Sequence, residues 1–460
     1  MCVTAIVMGK NKSSLDTKVL EDFYGNKLVE VSYIPGISVS KIVSDQRDAY
    51  KMLTLEELLS IIKSAGQILA TNDILGESVQ DYYRKFVLST GLPMQCVING
   101  LEALSYKMRN IDKILKYEIP YSIIGNFDSG LFKNHDNFLA ASQQGKILGV
   151  IAPSNHPAVH ISWVTALALK YSIVVKPGKD DPFTPSRLAN ALLISGLPPE
   201  LVSILPMEHV NATKLATHCD KTIVYGEQKS LEVNSGANII LRGSGNSKVF
   251  VDFETENSLD KSVDIVYNSV LHDGGRRCTN ASSVIINGNA EEFAYKLAER
   301  MSCTLEDPHR ITAKVGCFKR KVEAEKIEQF ISDNMGDAED ISYKVNRVSR
   351  LQLKDNITFL NPTVMLCKKT SPLFGIELPF PFVTVAEVDK DINGLLSNSL
   401  AVSLVTKNND IVNECLKNPT IGKVIINAPT FSENLGDPHD GYLFQHLYRI
   451  KSVFGGELIC

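Results

Sequence analysis

Gly274-Gly275-Arg276-Arg277-Cys278-Thr279-Asn280-Ala281-Ser282 sets one cysteine in a tight, basic loop directly ahead of the β-branched run Ser283-Val284-Ile285-Ile286. Two glycines let the backbone approach a ligand closely, and a guanidinium pair lowers the cost of forming a thiolate, the reactive form of cysteine. The stretch therefore reads as a loop carrying a nucleophile, Cys278, into a core strand. The competing reading is an ordinary buried cysteine packed beside that strand.

A second patterned stretch lies upstream. In Gly149-Val150-Ile151-Ala152-Pro153-Ser154-Asn155-His156-Pro157 an apolar strand runs into Asn155, and Pro157 suits the first turn of a helix, where its missing N–H costs nothing. The helix spans 158–170, and Tyr171-Ser172-Ile173-Val174-Val175-Lys176-Pro177 is a further β-rich run closed by a lysine and a proline. Taken alone, Asn155 suits a helix cap or a turn. Beyond it the units repeat: helix 184–196, strand 202–205, helix 211–218, strand 221–225. Strand-helix-strand units with short turns imply a parallel sheet covered on both faces. No Gly-x-Gly-x-x-Gly follows any of these strands, so the common dinucleotide fingerprint is missing.

Before this block, Thr54 and Glu57 form a capping-box pattern, with Leu53 and Leu58 placed as a staple, for a helix reaching about Ala70; more helix runs to about Lys116. The first fifty residues read as β-like, and 117–146 as an extended arm. A second α/β block runs from about Phe250 to Asn427, with helices near 290–301 and 321–335 and strands near 359–366, 382–388, 401–406 and 422–427.

With 460 residues, 44% hydrophobic and 22% charged, the chain is long enough for two or three cored domains. A net charge of −4 gives no reason to expect nucleic acid or an anionic membrane as partner. Nine cysteines, an odd number without a Cys-x-x-Cys pair, argue against a disulfide framework and against a zinc site, so no metal is expected. A reducing cytoplasm is the expected setting. No run approaches the roughly 18 apolar residues of a membrane span.

The glycine, the arginine before Cys278 and the Thr-Asn-Ala-Ser after it, together with the strand, Asn155, helix, strand, Lys176-Pro177 order, resemble the aldehyde dehydrogenase superfamily. The resemblance implies an α/β, aldehyde dehydrogenase-like fold. A Rossmann-type cofactor domain would span 1–246, with its extended arm at about 117–146. An α/β catalytic domain would span 247–427 and carry Cys278, and 428–460 would form a C-terminal oligomerisation tail of a homodimer or homotetramer. The same resemblance makes Cys278 the nucleophile and Asn155 the donor to the oxyanion. It assigns Pro153, Ser154, Lys176, Lys179, Gly226 and Phe374 to a nicotinamide cofactor.

Three departures refine what the resemblance implies. In Leu241-Arg242-Gly243-Ser244-Gly245-Asn246-Ser247-Lys248, Arg242 stands where aldehyde-oxidising members carry the glutamate that activates water, and arginine cannot accept a proton. Members lacking that carboxylate commonly exchange the acyl group with a thiol. Asp181-Pro182-Phe183-Thr184, Pro438-His439-Asp440-Gly441 and Leu447-Tyr448-Arg449 resemble the long-chain acyl-CoA reductases that supply aldehyde to bacterial luciferase; the other reading of His439 and Asp440 is a surface turn. The expected reaction interconverts an acyl thioester, with coenzyme A as candidate carrier, and an aldehyde. The alternatives are hydrolytic oxidation of an aldehyde, with Glu227 as a candidate base, and a catalytically idle binding protein. In Leu373-Phe374-Gly375-Ile376-Glu377, the acidic residue usual just before Phe-Gly is missing, Ser371 and Pro372 standing there. Lys179, three residues after Lys176, stands where many NAD-preferring relatives have glutamate, which favours NADP(H) and leaves NAD(H) as the other cofactor.

Overall fold

A computed structural model of the chain describes residues 2–134, 137–226, 238–255, 258–388 and 392–454. Two seven-stranded sheets dominate. The first runs, in spatial order, Ile239–Arg242, Lys221–Tyr225, Ile147–Ile151, Ser172–Lys176 and Val202–Ile204, all parallel, and is extended by the antiparallel strands Ala5–Val7 and Lys10–Lys12. Every residue of Ile147–Ile151 and of Ser172–Lys176 is buried, as expected of central strands covered by helices on both faces. Helix Ile161–Ala168, entered through the 3-10 turn Pro157–His160, buries Trp163 completely against one face.

The second sheet runs Glu339–Asp340, Thr363–Leu366, Phe382–Glu387, Ala281–Asn287, Ser247–Asp252, Ser399–Val405, Ile421–Ile426, parallel except for the first strand. Phe293, Ala294, Leu297 and Ala298 of helix Ala290–Met301 are fully buried against it, placed by the apolar spacing of three and four residues. The chain crosses from the first sheet to the second through 243–246. That crossing aims the carboxyl ends of the first sheet's strands at the amino ends of the second's. Open α/β sheets bind ligands at such strand ends.

Local signals in the sequence are met where they are strongest. Thr54 and Glu57 form both bonds of a capping box on helix Leu55–Leu69. The first fifty residues hold short strands as read, and also helix Gly36–Ala49, whose polar sequence hides it. The extended arm begins later than expected: 111–118 and 121–124 are helical, and only Leu131–Asn134 and Asn137–Gln143 are strands.

The C-terminal tail returns to the arm of its own chain. Tyr448–Val453 pairs antiparallel with Asn137–Gln143 of the same chain, Tyr448 opposite Gln143 and Val453 opposite Phe138. Arm and tail are thus paired within one chain. The reason is proximity, since the buried Leu443, Phe444 and Leu447 of the intervening helix dock the tail on the first core before the strand starts.

Among the described residues, Ile421–Ile426 and Tyr448–Val453 each end a sheet with one edge unpaired, and Ile426, Ile450 and Phe454 are exposed. Open apolar edges favour association. Light scattering at micromolar concentration is expected to give a dimer or larger assembly, which Ile426→Lys combined with Ile450→Lys dissociates. A monodisperse monomer of the unsubstituted chain would contradict this.

Candidate active site

Cys278 lies at the end of a strained loop. His272–Gly275 is a 3-10 turn in which Asp273 (φ 48°) and Gly274 (φ 73°) are left-handed. The Asn280 side chain holds the turn closed, accepting from Arg277 N (2.7 Å) and donating to the carbonyls of Ser269 and His272 (3.1 and 3.0 Å). Ser282 and Ser283 continue the anchoring, Ser282 on the Ser247 carbonyl and Ser283 on Thr384. The Thr-Asn-Ala-Ser motif is therefore a set of fasteners that fix where Cys278 sits.

The two arginines act differently from the sequence-based expectation. Arg276 spends its guanidinium on three carbonyls, those of Pro379 (3.0 Å), Thr90 (2.8 Å) and Cys317 (2.6 Å), which ties the loop to distant segments. Arg277 pairs with Asp273 at 3.1 Å. Burial raises the Cys278 thiol above its ordinary range, and Arg277 offsets this only in part. Desolvation outweighs the guanidinium pair that was expected to ease ionisation.

Asn155 reaches this loop from the other sheet, its Nδ2 donating to the carbonyl of Arg276 at 3.1 Å across a sequence separation of 121 residues. His156, next to it, lies 3.1 Å from Asp273 Oδ2, with both side chains almost fully buried. Asn155, Pro153, Gly226 and Cys278 line one cavity of about 620 Å³. Its apolar wall includes Val159, Ile161, Leu400 and Leu443, and its polar lining includes Glu118, Glu377 and Glu433.

Two of its contacts were not legible in sequence spacing. His439 Nε2 lies 3.5 Å from Cys278 Sγ. Burial holds the His439 pKa at about 3, with Lys423 and Arg242 adding to the effect, so the ring is neutral near pH 7. Arg242 is buried, forms an ion pair with Asp440 (3.1 Å) and also donates to the Asp440 carbonyl, which clamps the His439 turn over the cavity. His439 thus faces the cavity, while Asp440 remains exposed in the turn. Part of the segment 428–460 roofs the site. Glu433 between Lys107 (2.6 Å) and Lys423 (2.9 Å), and Glu118 receiving Phe444 N (2.9 Å), hold that roof at both ends.

The second contact is Glu377, whose Oε2 accepts from Gly245 N (2.8 Å) and Asn246 N (3.1 Å). The carboxylate missing before Phe374 is brought to the cavity from three residues after it. Phe374 itself packs among the apolar side chains of the second sheet and lines neither this cavity nor the next.

A second cavity of about 230 Å³ is lined by Tyr33, Lys176, Gly178, Lys179, Glu208 and His209, among others. Lys176 is buried and, among the described residues, its ammonium has no hydrogen-bond or ion-pair partner; burial lowers its pKa and the Glu208 carboxylate acts against this. Ser154 lies beneath this loop, its Oγ accepting from Asp180 N at 3.0 Å. Lys179 is exposed at the rim, and the aspartates after it are engaged elsewhere, Asp180 with Lys319 (2.8 Å) and Asp181 with Thr184. Glu227, the alternative base, lies outside the described residues. Among the described residues no His/Cys/Asp/Glu group could hold a metal ion, and no helix is long and apolar enough to cross a membrane.

Residues 35–443 match the model of the aldehyde dehydrogenase family. The chain belongs to that family. Its curated relatives are distant. It is 26% identical to an aldehyde dehydrogenase of Enchytraeus buchholzi over 61% of this chain and 59% of that one. It is 22% identical to the cytosolic 10-formyltetrahydrofolate dehydrogenase of Xenopus laevis over 55% of this chain, spanning only 29% of that relative. An aldehyde dehydrogenase from Bacillus cereus solved with NAD+ superposes with a TM-score of 0.81 at 17% identity, covering 100% of this chain and 97% of that one, a likeness of fold.

The crossing loop offers a sharp test of this geometry. A Cβ on Gly245 would lie 1.7 Å from the carbonyl oxygen of Cys278, whereas one on Gly243 would meet nothing within 4 Å. Overpacking of that kind costs about 1–3 kcal/mol. Gly245→Ala is expected to slow iodoacetamide labelling of Cys278 or to lower stability by that amount, with Gly243→Ala unchanged. Equal behaviour of the two variants would refute the placement.

Proposed function

We propose that this family member interconverts an acyl thioester and an aldehyde through an acyl group carried on Cys278. The observation that carries the reading is Arg242: a cation paired with Asp440 stands where the resemblance puts the carboxylate that activates water. With no carboxylate at that point, transfer of the acyl group to or from a thiol is favoured over hydrolysis. Attack of Cys278 Sγ on the thioester carbonyl forms a new C–S bond and expels the carrier thiol, coenzyme A being the candidate. The Asn155 amide and the Cys278 N–H are the donors for the oxyanion.

A nicotinamide fits the two cavities, because Lys176, a buried residue whose ammonium has no partner among the described residues, lines the smaller one and Gly226 and Pro153 line the larger next to Cys278. When bound it supplies the hydride that takes the acyl group to the aldehyde level. Lys176 and Lys179 would hold its ribose end, with Ser154 fixing their loop. The two cations favour NADP(H); Glu208, ion-paired with Lys18 at 3.0 Å, is the counterweight that keeps NAD(H) as the alternative.

A second reading, oxidation of an aldehyde to an acid, draws support from Glu118. Burial raises its carboxyl pKa to about 7, a value suited to a general base, and it lines the same cavity. The experiment that separates the two is a screen of acyl-CoA esters and aldehydes, with and without added thiol, read by absorbance of the reduced nicotinamide. Reduction of an acyl-CoA, and aldehyde oxidation that depends on thiol, are the expected outcomes, both abolished in Cys278→Ala. Efficient thiol-independent formation of free acid would sink the first reading in favour of the second.

Cofactor choice is tested by direct binding. Lys179→Glu is expected to weaken NADPH binding by about tenfold, a charge-assisted contact of roughly 1.5 kcal/mol, while changing NADH binding little. Equal loss for both cofactors, or none, would make Lys179 a bystander.

A further inference from the structure

The C-terminal turn 438–441 does more than roof the cavity. It places an imidazole against the sulfur, and an arginine that cannot itself accept a proton holds the turn in place. We propose that His439 is the acid–base residue of this site, its Nε2 accepting the Cys278 thiol proton as Sγ bonds to the substrate carbonyl and returning that proton to the departing group. The proposal rests on Cys278 being the nucleophile and holds whichever acceptor later takes the acyl group.

Cys278–SH and neutral His439 meet an acyl thioester or ester; the sulfur–carbonyl bond forms, the proton passes to Nε2, and the bond to the leaving group breaks. The proton then leaves with the expelled thiol or alcohol, and His439 is again neutral. No oxidant or reductant enters this half-reaction.

Geometry is the main support. The Nε2–Sγ distance of 3.5 Å is within reach for transfer to or from sulfur. The groups facing the ring decide its resting state. Arg242 comes from the end of the first sheet, Lys423 from the edge strand of the second, Arg277 from the Cys278 loop and Glu433 from the tail itself. Three cations against one carboxylate, in a buried setting, disfavour a resting imidazolium. The pair therefore rests as thiol and imidazole, and proton transfer accompanies attack.

This arrangement gives Arg242 a role that its lack of basicity conceals. It is a positioning residue, fixing the Asp440 backbone and carboxylate so that the preceding residue meets Cys278. The proton acceptor has moved from the end of the first sheet to the tail, and the cation now at that strand end is its anchor.

The test is acylation of the full chain by a p-nitrophenyl ester, followed by nitrophenol release from pH 5 to 10. It needs neither coenzyme A nor nicotinamide, so failure to reduce thioesters would leave it readable. The unsubstituted protein is expected to acylate at a nearly constant rate across this range. His439→Gln should depend on prior ionisation of the thiol, with a loss on the order of 100-fold at pH 6 that shrinks to under about threefold by pH 10. Imidazole at millimolar concentration should restore His439→Gly at pH 7, where most of it is the neutral base. Arg242→Met, which leaves the ring untouched, should show a smaller loss with the same pH signature. Parallel pH profiles for the unsubstituted protein and His439→Gln, or no rescue by imidazole, would overturn the proposal.

Discussion

The buried carboxylate of Asp273 is the constraint on which the site depends. An isolated charge with so little exposure would be costly, so it must be paired. It has three partners within 3.2 Å: His156, His272 and Arg277. Burial pushes its carboxyl toward the protonated form, yet the close approach of the His156 and His272 rings wins and holds it ionised far below the usual carboxylate range. His156 contributes without carrying charge. Its Nδ1 accepts from Ala158 N at 3.3 Å, which leaves the ring proton on Nε2, facing Asp273. One carboxylate thereby fastens the loop after the first sheet's Ile147–Ile151 to the loop before the second sheet's Ala281–Asn287. The Asn155 bond to Arg276 runs parallel to it.

That tie explains why a left-handed Asp273 persists in the structure. A non-glycine residue at positive φ costs on the order of 1–3 kcal/mol and survives only where its surroundings over-determine it. Here the over-determination comes from both sheets, through three side-chain partners and the Asn280 fasteners. The loop is held so that Cys278 projects into the cavity and does not fold back on the strand that follows.

Electrostatics around the sulfur follow from the same arrangement. Of the two arginines beside Cys278, one is consumed by backbone carbonyls and the other by Asp273, so neither is free to stabilise a thiolate strongly. The segment 430–443 completes the surroundings. It is pinned by Thr430 N on Ser269 Oγ (3.0 Å), by His272 stacked on Phe431 (3.7 Å between centroids), by the Lys107–Glu433–Lys423 chain and by Arg242 on Asp440. Residues from three parts of the chain thus converge on one sulfur.

Much of the fold was legible in the sequence because its signals are local. The continuous apolar runs at 147–151 and 172–176, the capping box at Thr54 and Glu57 and the apolar spacing of 290–301 each fix an element through nearest neighbours, and the structure has all of them. Asn155, Lys176 and Cys278 stood out as candidates because each closes or opens such an element. The polar helix Gly36–Ala49 escaped notice because it offers only a weak apolar stripe. His439, Glu377 and the tail's return to its own arm were decided by tertiary structure alone. Each depends on a contact across more than a hundred residues, between His439 and Cys278, Glu377 and Gly245, Tyr448 and Gln143. A sequence records which side chains are available for such contacts, while only the packing of one sheet against another determines which of them meet.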